Sequence, residues 1–526
     1  MSLLPSHPIL SCADAKSFEA SVLPDEAAEW AAMQRAGGAI ACAVLRDFRE
    51  IGGLSSTAGL LVLVGKGHNG GDALLATRAL LETCPDAHAD IVLAFGEGAL
   101  RPLARRSLDA VRRSAGARVR VVTRGELKSE FASYELCLDG LFGFQFRPPL
   151  DGATSELLAW VNTHPRIRLR AAVDLPSGLA EPENAKTVFR ADFTYCTGIV
   201  KSPVVAPENA ALVGRARYLD LGFFDASCRS LLAGDKDVES PASRLLQEVQ
   251  HAGPSSRILL LSLLAPLGAL RPAQSDKRTY GHLLVVGGSR DYPGAVLMTV
   301  QAALRSGVGL LTACVPESLV PEYAAKFPEA MWCGFPETAP TDILSRAAIA
   351  LVQEKAARAT ALVIGPGLGS APATLAAAEA IVRNANLPVL LDADALQPEI
   401  VCAAHGKRLI ATPHAGEWQR VSSDWPREGA VLVRKGCPTV VVAGSFSFYS
   451  FCGGPVLARG GSGDLLAGLI GGLLAQKPDD LWLAAARGVV WHGLAADLLA
   501  RDKGQVAVQT TQLLDYLHPA LHTEQL

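Results

Sequence analysis

The sequence predicts an α/β protein made of two doubly wound sheets in series. Three observations carry that reading. Apolar runs of strand length recur along the chain, and most end in Gly, Asp or Ser before a helical segment. The alternation weakens between about Asp225 and Gln274, where "DASCRSLLAGDKDVESPAS" is small and polar. The 526 residues are 49% hydrophobic, enough for more than one large core, and 49 Gly with 32 Pro supply the turns.

The elements follow in order. "LLVLVG" (Leu60 to Gly65) is a continuous apolar run, as a parallel strand buried on both faces requires. Gly-rich "GKGHNGGD" follows, and "ALLATRALLET" then reads as a helix. "DIVLAFG", "VRVVT", "LCLDGLFG" and "AAVDLPSG" are further strands. The weak stretch is read as a linker, residues 226–256, between domains of residues 1–225 and 257–526. "SRILLLSLLAPLGALRP" is read as a short helical lead-in. The second cycle runs "GHLLVVGGS", "LLTACVP", "ALVIGPG", "PVLLDADAL", "RLIATPHAGE" and "TVVVAG", ending in "LARGGSGDLLAGLIGGLLAQ". The two cycles share a style but no motif, so they are not an internal repeat.

Composition excludes several classes. A net charge of −3 without a sustained basic stripe argues against nucleic acid as a partner. The exception, the arginine-rich stretch Arg101 to Arg124, interleaves its cations with Leu, Ala and Val and reads as a solvated face. The 11 cysteines show no CxxC and no zinc-type spacing, which points to a reducing, cytoplasmic setting. "MSLLPSHPILSCADAKSF" lacks the charged and apolar regions of a secretory signal. The apolar stretch Leu465 to Ala475 is about half of the roughly 20 residues that span a bilayer. It reads as a buried core helix, with no membrane partner.

In the last motif, "GGSGD" (Gly460 to Asp464) directly precedes that helix. Unpaired N–H groups at a helix N-terminus suit a phosphate, and Asp464 could act as general base for a hydroxyl beside it. Taken alone, these five residues read equally well as an ordinary Asp near a helix start. The polar groups at other strand ends shift the balance: "VIGPGLG", the two aspartates of "LLDADAL", His414 and Glu417 in "TPHAGEW", and Lys435 to Thr439 before "VVVAG".

"GHLLVVGGSRDYPGAVLMTVQAALRSGVGLLT", "ALVIGPGLG", "PVLLDADAL", "ATPHAGEW", "RKGCPT" and "ARGGSGDLLAGLIGGLLAQ", six motifs in this order over about Asp276 to Leu517, resemble the dehydratase domain of the NAD(P)HX repair enzymes. The resemblance implies a ribokinase-like αβα fold. It also implies NADHX and NADPHX as substrates, cofactors hydrated at C6 of the nicotinamide. Their hydroxyl would be phosphorylated by ADP or ATP, and phosphate then lost. It places the hydrated dinucleotide on Ala295, Gly367, His414 and Asp464. It places the nucleotide on Lys435, Gly436, Cys437, Pro438 and Thr439, together with Gly461, Ser462 and Gly463. Mg2+ is expected with the nucleotide phosphates. Arg459 stands where the family has a small or hydroxylated residue, so it could aid or crowd a phosphate.

In the first half, "GKGHNGGD", "CLDGLFGFQFRPPL" and "AVDLPSGL" are each ordinary strand-end turns when taken singly. Together, over about Pro8 to Phe224, they resemble the NAD(P)HX epimerase domain, with "LPDEAAEWAAMQRAGGAIACAVL" resembling its leading helices. That implies a Rossmann-like three-layer αβα domain that interconverts the R and S epimers at C6. Substrate would meet His68, Asn69, Gly70, Gly71 and Asp72, and the loop Gly143, Phe144, Gln145, Phe146, Arg147, Pro148 and Pro149. Asn69, Asp139 and Ser177 would hold potassium through hard oxygens. Asp174 is the expected acid/base, because epimerising a hemiaminal carbon moves protons at oxygen or ring nitrogen. The chain departs from the pattern at His68, Ala73 and Arg147; the Ala73 methyl would stand where backbone and ligand meet. The resemblance also suggests a homo-oligomer.

Two other readings share some of these features. A ribokinase-like kinase for sugars or pyrimidines would have the GSGD loop, and would turn over nucleotide without NADHX. A nucleotide-binding protein with a non-catalytic first half would tolerate the changes at His68, Ala73 and Arg147.

Overall fold

The computed structural model describes residues 4–127, 133–225, 255–336, 346–426 and 428–523. The predicted linker lies outside the described residues except for Ser255 and Ser256. Contacts divide the chain into two units. One begins at His7 and ends at Ser256; the other joins the residues up to Ser6 with those from Arg257 onward.

In the N-terminal unit the elements are β1 (Ser6–Leu10), α1 (Cys12–Val22), α2 (Glu26–Phe48), β2 (Gly59–Val64), α3 (His68–Thr83), β3 (His88–Leu93), α4 (Pro102–Ala115) and β4 (Val119–Val121). Then come β5 (Tyr134–Gly140), α5 (Gly152–Thr163), β6 (Ile167–Val173), β7 (Phe193–Thr197), β8 (Val200–Lys201) and β9 (Arg215–Leu219). The sheet order is β4-β3-β2-β5-β6-β7-β9, parallel throughout. β2 is buried at every residue, and its side chains serve both faces: Leu60, Val62 and Val64 enter one core, Leu61 and Leu63 the other. From β2 the chain winds to β3 on one side and β5 on the other. That reversal opens a crevice at the carboxyl ends of β2 and β5, where doubly wound sheets bind ligands. α4 buries Leu103, Leu108 and Val111 and leaves Arg105, Arg106, Arg112 and Arg113 exposed, so the arginine stretch does form a solvated face.

The C-terminal unit contains β10 (Ser255–Leu259), β11 (His282–Val286), α6 (Pro293–Arg305), β12 (Leu310–Pro316), α7 (Val320–Lys326), β13 (Met331–Phe335), α8 (Arg346–Ala356), β14 (Ala361–Ile364) and α9 (Pro372–Asn384). It continues with β15 (Val389–Leu391), α10 (Pro398–Ala403), β16 (Leu409–Ala411), α11 (Ala415–Val421), β17 (Ala430–Arg434), β18 (Thr439–Ala443), β19 (Phe446–Ser450), α12 (Ser462–Gln476) and α13 (Leu481–Lys503). The strand order is β13-β12-β11-β14-β15-β16-β17-β18-β19, parallel up to β17 and antiparallel beyond. Here too the order reverses, between β11 and β14.

The predicted helical lead-in is not a helix. It forms β10 and a 3-10 segment, Leu261–Leu267. Pro266 denies that segment an α-helical ladder, while buried Arg257 fixes β10 through Ser6, with Nε 2.8 Å from Ser6 Oγ.

α12 buries every residue from Leu465 to Ala475. Its glycines are there for packing: a Cβ on Gly468 would lie 2.2 Å from the Thr299 carbonyl oxygen of α6. Among the described residues no helix is long and apolar enough to cross a membrane.

Candidate active sites

In the N-terminal crevice, β2 gives way to Gly65, where a Cβ would lie 1.8 Å from the Leu141 carbonyl oxygen. Only glycine lets the β2–α3 turn lie against the β5 exit. Asn69 then falls in the first turn of α3 and Asp72 just beyond it, each with a buried polar atom that lacks a hydrogen-bond partner, Nδ2 and Oδ1. Burial, with Asp174 and Glu19 adding to it, holds the Asp72 carboxyl well above the usual range. Asp139 ends β5 fully buried; its Oδ1 accepts from Ser177 Oγ at 2.7 Å and its Oδ2 from Ser177 N–H at 2.8 Å. Burial raises its pKa to about 6.

Asp174 follows β6 in the left-handed region (φ 66). Its Oδ2 is 3.3 Å from where a Cβ on Gly143 would sit, and Asn69 Oδ1 is 3.5 Å from the same point. So Asn69, Gly143 and Asp174 converge. In the 143–149 loop, Phe144 and Phe146 are buried, and Gln145, Arg147, Pro148 and Pro149 are exposed. Arg147 donates to the Phe146 carbonyl at 2.8 Å, folding back onto its own loop. His68 is exposed, 3.5 Å from Glu29. The Ala73 methyl is fully buried against Gly140.

The C-terminal site is built on the α12 N-terminus. Lys435, at the end of β17, sets its Nζ 3.2 Å from where a Cβ on Gly463 would sit. The same ammonium is 3.0 Å from Asp392 Oδ1 and 3.6 Å from Glu417 Oε2. Asp392, which follows β15, also accepts from Thr412 Oγ1 at 2.7 Å. Burial first, then the Asp392 charge, lifts the Asp464 carboxyl to about 7, with Lys435 opposing. His414 caps α11: its Nδ1 accepts from Gly416 N–H at 3.0 Å, while Glu417 Oε2 accepts from His414 N–H at 2.7 Å. Ala295 and Gly367 adjoin; a Cβ on Gly367 would lie 3.0 Å from that of Ala295. Gly436 accepts from Thr439 Oγ1 at 3.1 Å, and Cys437 and Pro438 form the turn between them.

Residues 283–519 match the NAD(P)H-hydrate dehydratase family, and residues 30–202 match the family of the YjeF-related protein N-terminus. The bifunctional NAD(P)H-hydrate repair enzyme of Moorella thermoacetica is 31% identical over 92% of this chain and 91% of its own. That of Gloeobacter violaceus is 34% identical over 99% of each. The chain belongs to the bifunctional NAD(P)H-hydrate repair enzymes. Among solved structures, the ADP/ATP-dependent NAD(P)H-hydrate dehydratase from Bacillus subtilis is 29% identical, covering 48% of this chain and 93% of that one, with a TM-score of 0.40.

Within this repair-enzyme chain, sequence reasoning missed the groups that surround the two expected acids. Lys201 and Glu19 carry no local motif; Lys435 and Asp392 each lie in one, but their pairing comes only through the fold. Arg459 shows why it departs from the family pattern. Its guanidinium donates to the carbonyls of Gln505, Val506 and Val508 at 2.8, 2.7 and 2.9 Å, while Thr510 Oγ1 donates to Gly460. It ties the GGSGD loop to the segment after α13. We expect Arg459→Ala to destabilise the C-terminal unit by about 2 kcal/mol. A thermal melt reads that shift, and the KM for nucleotide should stay within about threefold, because the guanidinium is committed to protein carbonyls.

Proposed function

We propose that the chain repairs hydrated NADH and NADPH in two reactions, one on each unit. The N-terminal unit interconverts the C6 epimers; the C-terminal unit dehydrates the S epimer using ADP or ATP. The observation that carries the second reaction is a carboxyl with a pKa of about 7 at the start of a helix whose N-terminus also faces an ammonium. Asp464 takes the proton of the C6 hydroxyl as its oxygen bonds to the terminal phosphorus, and the bond to the leaving nucleotide phosphate breaks. The amides of Gly461, Ser462 and Gly463 and the Lys435 ammonium meet the charge of the transferred group. Phosphate then leaves C6 as the N1 electron pair moves in, and loss of a C5 proton restores the ring double bond.

Lys435 to Thr439 hold the nucleotide, and Ala295, Gly367 and His414 the dinucleotide. The charges of Asp392, Asp394 and Glu417 all bear on Asp464, so an entering polyphosphate fits best with its own divalent ion. Mg2+ on the phosphates supplies that neutralisation when bound.

In the epimerase unit, Asp174 takes the proton of the C6 hydroxyl and passes it to N1 as the C6–N1 bond breaks, leaving an aldehyde and an N1–H. Rotation and re-closure on the other face give the second epimer. Asn69, Asp139 and Ser177 fit potassium: the buried Asp139 carboxylate lies against the Ser177 hydroxyl, and all three side chains offer hard oxygen. When bound, the ion balances the Asp139 charge. Exchanging potassium for tetramethylammonium should slow epimerisation and leave dehydration of the S epimer unchanged. The described cysteines are all free, which supports work in the cytoplasm.

The test is NADH recovery, followed by absorbance, from separated R and S NADHX with ADP and ATP in parallel. Nucleotide turnover on sugars or pyrimidine alcohols without NADHX would overturn the reading in favour of a small-molecule kinase.

A further inference from the structure

The epimerase site holds a buried cation that none of its three motifs contains. Lys201 ends β8, 1% exposed, in the register where β8 pairs with β1. An ammonium removed from water this far needs partners. Its Nζ lies 2.6 Å from Asp174 Oδ1 and 3.6 Å from Glu19 Oε1 of α1. The same atom stands 4.7 Å from the ring centroid of Phe144, in the loop expected over the substrate.

The two oxygens of Asp174 are therefore divided. Oδ1 is bound to Lys201, and Oδ2 faces Gly143, where the loop begins. The Asp174 backbone is in the left-handed region, its N–H held by the Tyr195 carbonyl at 2.9 Å, so the strand end sets where the side chain leaves. The ammonium then sets how the carboxylate turns. A base locked by a third group loses little freedom on meeting its proton.

We propose that Lys201 is the positioning residue of the epimerase site, holding Asp174 Oδ1 so that Oδ2 receives the C6 hydroxyl proton. Lys201 acts through Asp174 and donates no proton itself. Burial pulls its pKa down, but the charges of Asp174 and Glu19 outweigh this and hold it at about 12. The proton passes from the C6 hydroxyl to Oδ2 and on to N1 as the C6–N1 bond breaks, and retraces that route when the ring re-closes. Phe144 over the ammonium ties the loop to the same pair. This inference rests on the epimerase reading above.

The experiment follows R-to-S conversion of NADHX by the full chain with saturating potassium, for wild type, Lys201→Met, Lys201→Gln and Lys201→Arg. Circular dichroism and NADHX binding are measured beside it. The neutral variants should lose about a hundredfold in kcat with KM within about threefold, and Lys201→Arg should recover at least about tenfold of that loss. Neutral variants within about threefold of wild-type kcat, a loss confined to KM, or an Arg variant no better than Met would each overturn the proposal. So would neutral variants that fail to fold where Lys201→Arg folds, since Lys201 would then serve the fold. Wild type that dehydrates the S epimer but does not interconvert R and S would instead remove the epimerase reading itself.

Discussion

Asp464→Asn is expected to lower kcat for dehydration of S-NADHX by about a thousandfold or more, with ADP affinity changed by less than about threefold. The substitution keeps the shape and removes the group that takes the hydroxyl proton. The amides of the α12 N-terminus and the Lys435 ammonium remain, so the phosphates keep their cradle. Isothermal titration with ADP beside the NADH absorbance assay separates the two effects. Loss of ADP binding and turnover together would show Asp464 to be a structural cap.

The same carboxyl sets a pH dependence. Burial raises its pKa to about 7, and it works as a base only when ionised. Below that value it keeps its own proton, so kcat/KM for dehydration should fall about tenfold per pH unit and level off above about 7. The direction opposes that of an acid catalyst, for which the rate would fall as pH rises.

The second large effect is structural. Gly65→Ala should destabilise the N-terminal unit by about 3 kcal/mol and abolish epimerisation, while S-NADHX dehydration persists. A methyl there would lie 1.8 Å from the Leu141 carbonyl oxygen, which is backbone and cannot swing away. Either the β2–α3 turn or the β5 exit must move, and these carry Asn69 on one side and the 143–149 loop on the other. Thermal unfolding with epimerase and dehydratase assays in parallel reads this. Unchanged melting and epimerase activity would show that the crevice tolerates the shift.

Much of this was legible from the chain itself. Buried strands announce themselves as unbroken apolar runs, because both faces are covered, and glycines end them where the chain must turn closely. Asp464 and Asp174 could be picked out because each lies in a glycine-bearing motif, one at a helix start and one at a strand end. The arginines of α4 alternate with apolar residues at helical spacing, and only one face can be buried. The exceptions have equally plain causes. The apolar stretch after Ser256 carries no helical period strong enough to override Pro266, so it became β10 and a 3-10 turn.

What periodicity and motif order determined, then, was two doubly wound sheets, the strand ends that carry the polar groups, and the acid proposed for each site. Those are properties of short stretches, where spacing dictates which faces are buried. The tertiary structure alone decided who surrounds those acids. Lys201 lies 27 residues from Asp174, and Lys435 lies 43 from Asp392. Arg459 reaches carbonyls up to 49 residues away. A charge buried in an interior must find its partner in space, and no local pattern records where that partner lies along the chain.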